Sequence, residues 1–130
     1  MRIDIISPDE ITPDLVTQWA GLQSRDRDLE SPFFAPEFTR IVARHRPDAR
    51  VAVFEDGGRI CGVLPYHRKP GGACLSIGGQ ISDFQGIIGD ANMGIGARAL
   101  LRGLGAQAFD FNHALASQKT FRNAAYMSDV

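Results

Sequence analysis

R-I-C-G-V-L-P-Y-H-R (residues 59–68), G-G-A-C-L-S-I (71–77) and G-I-I-G (86–89) are three short apolar runs separated by glycine. The last of them leads through Gly94-Ile95-Gly96 into A-R-A-L-L-R-G-L-G, residues 97–105. Thirteen of the fourteen glycines lie between Gly57 and Gly105, so this half reads as strands joined by tight bends. Glycine at such positions serves turns and close approach of backbones. The end of the stretch is a strand, a Gly-x-Gly turn and a helix start, a place where backbone N–H groups can face a phosphate.

Working outward, Arg50–Glu55, the turn Asp56-Gly57-Gly58 and Arg59–Arg68 predict a β-hairpin. Val51 and Val53 point one way and Ala52 and Phe54 the other, so both faces are apolar and the sheet should lie between helices. Pro65 has no N–H and should mark a bulge or an edge. Ala73–Ile77 and Gln85–Ile88 are further strands. A helix over Asn92–Leu104 is closed by Gly103 or Gly105, and Ala108–Phe111 is a strand with Phe109 and Phe111 on one face. After His113 periodicity fades, with a short helix over Ser117–Ala125 anchored by Phe121.

Upstream, Arg2–Ile6 alternates as a first strand. Thr12 is an N-cap, followed by Pro13 at the first helical position and Asp14 in the first turn. Leu15, Val16, Trp19 and Leu22 then mark a helix running to about Arg27. Ser31-Pro32 breaks it. A second helix from Pro36 carries Phe38, Ile41 and Val42 inward and ends at Arg44-His45-Arg46, with Phe33 and Phe34 beneath its entry.

The chain has 130 residues, 44% of them hydrophobic and 22% charged, with a net charge of −1. That is one domain of ordinary soluble composition, without the basic footprint of a nucleic-acid binder. Neither a signal peptide nor an apolar run of the ~20 residues needed to span a bilayer is present, so cytoplasmic residence is expected. Cys61 and Cys74 form no metal motif. Pairing across Pro70-Gly71-Gly72 sets Cys74 opposite about Arg68, far from Cys61, which predicts two buried, reduced thiols.

The order β-α-α-β-β-β-(β)-α-β is an α/β layered domain. It resembles the first two thirds of the GNAT acyltransferase fold, a mixed sheet of about five to six strands with helices on both faces. Ser31-Pro32-Phe33-Phe34-Ala35-Pro36-Glu37-Phe38, Gly62-Val63-Leu64-Pro65-Tyr66-His67-Arg68, Gly78-Gly79 and Ser82-Asp83-Phe84-Gln85-Gly86 stand in register. Together they resemble the N-terminal half of the cellulose-biosynthesis acetyltransferase-like (CelD/BcsL) proteins, a FemAB-related branch of that superfamily. The resemblance covers about residues 15–113. It implies acetyl-CoA or another acyl-CoA as co-substrate, no metal, and a C-terminal GNAT-like domain as partner. It also implies that this chain is part of a longer acyltransferase, inactive alone. On that reading the strand over 108–111 should lie uncovered, so that the isolated chain self-associates or is only marginally stable, with residues 109–127 as the sticky or mobile part.

The GNAT phosphate loop maps onto Ala91 to Gly96. Asn92, Gly94, Ile95, Gly96 and Ala97 are therefore the candidate cofactor-binding residues, although Ala91 replaces a side-chain donor and Asp90 would repel phosphate. A glycine-rich turn without a ligand is the alternative. Asp83, Phe84 and Gln85 could hold a polar substrate against an aromatic ring, or form an Asx-type turn over the core. His67 is either a substrate-contacting base, depressed in pKa by Arg68 and Lys69, or a surface residue at a strand end. His113 shares that ambiguity. Two functions follow: an acyl-CoA-dependent N-acyltransferase or its N-terminal part, and a non-catalytic half that packs on a catalytic domain and shapes its cleft. An unrelated small α/β ligand-binding module is a third.

Overall fold

The computed structural model describes residues 1–78, 87–89, 95–110 and 126–128. Strand β1 spans Arg2–Ile6, helix α1 Pro13–Ser24 and helix α2 Pro36–Ala43. Strands β2 (Ala49–Asp56), β3 (Arg59–Arg68), β4 (Ala73–Ser76) and β5 (Ile88–Gly89) follow. Helix α3 (Ala97–Leu104), β6 (Ala108–Asp110) and β7 (Tyr126–Ser128) complete the described elements. The seven strands form one mixed sheet in the order β1-β2-β3-β4-β6-β7, with β5 also on β3. Among the described strands only β4 and β6 pair in parallel.

Local chemistry sets the elements where expected. Thr12 caps α1, its hydroxyl accepting the Leu15 N–H at 3.1 Å, with Pro13 next. Gly105, at φ 63°, ends α3 in the left-handed conformation. Arg68 does lie opposite Cys74, and both cysteines are buried and not joined in a disulfide.

The two hairpin faces pack on different helices. Val51, Val53, Val63 and Ile88 join Leu15, Trp19 and Leu22 of α1 in one core. Ala52, Phe54, Leu64, Tyr66, Cys74 and Phe109 join Leu100, Leu101 and Leu104 of α3 in the other. Trp19 is fully buried and its Nε1–H donates to the Phe34 carbonyl at 2.7 Å, so the turn at Pro32–Phe34 is fixed beneath the helices. Helices therefore cover both faces, as the apolar alternation of β2 requires.

Several expectations are corrected. The bulge lies at Cys61, not Pro65: Phe54 pairs Gly62 while Glu55 pairs Ile60. The extra residue turns Cys61 onto the α3 face and leaves Ile60 on the α1 face. Pro65 stays in register with Val51, and its carbonyl accepts the Ile77 N–H at 3.3 Å. Its missing N–H faces the edge of β3 where β4 (opposite residues 66–68) has ended and β5 (opposite 62–63) has not begun. Because β5 runs in the same direction as β4, the two occupy one lane, interrupted at Pro65.

Ile41 points outward, 53% exposed, because the inward stripe of α2 is Pro36, Thr39 and Val42. Helix α1 stops at Ser24, with a separate 3-10 turn over Arg27–Leu29. Phe109 is fully buried, and β6 is flanked by β7, so an uncovered Phe109 strand is not what forms. Tyr126–Ser128 is a strand that the sequence pattern did not suggest. Phe111 and the expected helix over 117–125 lie outside the described residues.

Candidate functional site

The lane formed by β4 and β5 ends at Gly89, and the chain re-enters the described region at Ile95 before starting α3. Helix α3 returns the chain to the amino end of β6, so its N-terminus opens beyond the carboxyl end of the lane. Gly96 is its N-cap, in extended conformation with φ −78° and ψ 159°. A Cβ built on Gly96 would meet no described atom within 4 Å. The first turn holds no acidic residue, and Arg98 in it is exposed. Its first N–H groups have no intrahelical partner, since the ladder begins with the Leu100 N–H bonded to the Gly96 carbonyl at 3.0 Å. Backbone N–H groups, a Cβ-free N-cap and a nearby cation are the features with which a helix N-terminus can hold an anionic group.

Of the five cofactor-site candidates, Gly96 and Ala97 sit at this entrance, and Ile95 packs half-buried against the α3 core. Asn92 and Gly94 lie outside the described residues. So do Asp83, Phe84, Gln85 and His113.

His67 is placed very differently from a strand-end surface residue. Its ring is fully buried on the opposite face of the sheet from α3, beside Ala49 in the register of β2 and β3. The Gly78 N–H donates to its Nε2 at 3.0 Å. Nε2 is therefore the acceptor, and the proton sits on Nδ1, which donates to Asp48 Oδ1 at 2.9 Å. Asp48 Oδ2 in turn accepts from Arg46 at 2.8 Å. The result is a row, Arg46–Asp48–His67–Gly78, that ties the start of β2 to the end of β3 and to the turn leaving β4.

Burial, chiefly, holds the His67 pKa below its ordinary value. The Arg46 charge adds to this against the pull of Asp48, while Lys69 contributes least. The neighbours named by the sequence are not the main cause. Arg68 instead reaches the other face, donating to the Leu104 carbonyl at 2.8 Å at the end of α3. Burial opposes ionisation of Asp48, but the hydrogen bond and charge of Arg46, together with the His67 contact, keep its carboxyl below the usual range. With His67 neutral, Arg46 is the cation that matters to Asp48. Sequence reading missed Asp48. Counting back from the Asp56-Gly57-Gly58 turn brings it level with His67 to within one position, a signal the hairpin itself carries.

The site candidates thus separate. The helix entrance at Gly96 lies on the α3 side, and His67 lies sealed on the α1–α2 side with both nitrogens engaged. Among the described residues no three His, Cys, Asp or Glu side chains converge as a metal site. None of the described helices is long and apolar enough to cross a membrane. No protein-family model, no curated protein and no solved structure matches this chain.

Proposed function

We propose that this chain is the GNAT-like N-terminal part of an acyl-CoA-dependent N-acyltransferase that passes an acyl group to an amine. The observation that carries the reading is the route of the chain. A β-α-α-β-β order feeds a strand lane interrupted at Pro65, then a Gly-capped helix, then a strand parallel to the lane. Open carboxyl ends of parallel strands beside a helix N-terminus are where α/β folds take phosphorylated ligands. Acyl-CoA, when bound, supplies a thioester already activated toward amines. This chain would contribute the backbone N–H groups of the first turn of α3, the bare Gly96 entrance and the Arg98 charge. Catalysis would then rest on proximity and orientation, which needs no protein nucleophile. That is consistent with two buried cysteines, of which Cys74 has its thiol pushed up by burial.

A second reading is favoured by His67. The one buried histidine of the described region serves as a tie between strands, and Asp90 and Ala91 are poor phosphate-loop residues. On this reading the chain is a non-catalytic half that packs on a catalytic C-terminal domain and shapes its cleft. Thermal unfolding with acetyl-CoA separates the two. A working entrance should give a saturable rise in melting temperature, worth about 2.7 kcal/mol at 100 times the dissociation constant. Gly96→Glu should abolish it by placing a carboxylate where phosphate would sit. No rise at millimolar acetyl-CoA would leave the packing half as the surviving reading.

A further inference from the structure

Four arginines fall within eleven residues at the end of α2 and the start of β2: Arg40, Arg44, Arg46 and Arg50. They border two adjoining concavities that share Pro8, Asp9 and Ala43. One, of about 320 Å³, has Arg40 and Arg44 at its wall over Ile11. The other, of about 210 Å³, has Arg46 and Arg50 over Pro47 and Ala49.

These cations are poorly matched. Arg46 alone is paired with a carboxylate, that of Asp48, and Asp48 is already shared with His67. Arg40 donates only to the Ile11 carbonyl at 3.2 Å, and Arg50 to the carbonyls of Pro47 and Ala49 at 3.0 and 2.7 Å. Among the described residues the Arg44 side chain has no hydrogen-bond or ion-pair partner. The single acid on the walls, Asp9, accepts from the Ser7 hydroxyl, and Glu10 is turned to the Ser7 N–H. Elsewhere in the chain arginines alternate with acids, as in Arg25-Asp26-Arg27-Asp28. Here three guanidinium groups share an apolar-floored groove whose one wall carboxylate, Asp9, is paired with none of them.

Guanidinium forks match the planar oxygens of carboxylates and phosphates, and a concave low-dielectric wall strengthens their field. With a pair of arginines at each concavity, we infer that the groove is a binding site for a small anion carrying two acidic groups, phosphate or carboxylate. It lies at the C-terminal end of α2 and the start of β2, and is separate from the Gly96 entrance.

Inorganic pyrophosphate and succinate serve as probes, titrated into the full chain by calorimetry at ionic strength held constant with NaCl. Saturable pyrophosphate binding should appear, weakened by about tenfold in Arg44→Gln, which removes one charge-assisted contact. It should be lost in the Arg40→Gln/Arg44→Gln pair. The Arg44 side chain makes no bond within the described fold, so the single variant stays informative if the pair fails to fold. Binding should persist in Gly96→Glu and in Arg59→Gln, at the other end of the β2–β3 hairpin. Competition by succinate would extend the class to dicarboxylates, and its absence would narrow it to phosphates. No binding beyond the NaCl control, or equal binding in Arg44→Gln, would overturn the site. Binding lost in Gly96→Glu but kept in Arg44→Gln would move the anion to α3 and overturn it as well.

Discussion

Both ring nitrogens of His67 are occupied inside the protein, one as acceptor from Gly78 and one as donor to Asp48. Protonation would turn Nε2 into a second donor facing the Gly78 N–H, and this arrangement resists it. The unfolded chain has no such obstacle and takes up its proton near the ordinary histidine value of 6.5. Below that pH the unfolded state therefore binds more protons than the folded one. The stability contributed by His67 is complete above about pH 6.5 and is lost as pH falls toward the depressed folded pKa. Urea midpoints at about pH 7.5 and about pH 5.5 should show wild type weakening with acid. His67→Phe should cost about 2–3 kcal/mol at the higher pH, leaving Asp48 and the Gly78 N–H without their partner. Its midpoint should also vary less between the two pH values. A wild type equally stable at both would mean that the tie does not hold His67 neutral. The residue type pointed toward proton chemistry, and its place at a strand end toward the surface. Burial was hidden because strand alternation sends Arg68 to one face and His67 to the other, under α2.

Where chain segments meet backbone to backbone, glycine decides. Gly89 of β5 sits against β3 so closely that a Cβ would stand 2.7 Å from the Cys61 carbonyl oxygen and 2.9 Å from the Gly62 Cα. Neither atom can move away as a flexible side chain would. Gly89→Ala should lift β5 from β3 and destabilise by about 1–3 kcal/mol, the usual range for overpacking. Gly21, inside α1 with nothing within 4 Å of a built Cβ, gives the opposite expectation. Gly21→Ala should stabilise by about 0.5–1 kcal/mol through helix propensity. Equal effects at the two sites in chemical denaturation would refute the close contact. The hairpin, the Thr12 cap and the Arg68–Cys74 register were legible because each depends on residues adjacent in sequence or across one turn. The Cys61 bulge and the outward turn of Ile41 were not. A bulge is a response to packing on both faces, and in a helix of eight residues the inward stripe depends on what lies beneath it.

Among the described residues the two larger cores, one under α1 and one under α3, do not mix, and they share the β2–β3 hairpin that runs between them; a smaller cluster of Val42, Ala49 and Ile77 lies apart from both. Adjacent residues of β3 serve different cores, Val63 the first and Leu64 the second. Neither layer can lose its strands without stripping the other, so unfolding should be one cooperative event. The chain's single tryptophan, Trp19, is buried in the α1 core and reports on that side alone. Leu101 is 1% exposed in the α3 core and belongs to the other cluster from Trp19. Leu101→Ala should destabilise by about 2–5 kcal/mol, as buried leucine truncations do. If the hairpin couples the layers, Trp19 fluorescence must report that whole loss, shifting to the same denaturant midpoint as far-UV circular dichroism. A Trp19 transition left at its wild-type midpoint, with circular dichroism falling earlier, would show α3 and its strands detaching alone. The Gly96 entrance would then belong to a layer that opens independently of the α1 core. Coincident transitions would instead make the helix entrance as stable as the molecule, a rigid frame on which a phosphate could be held.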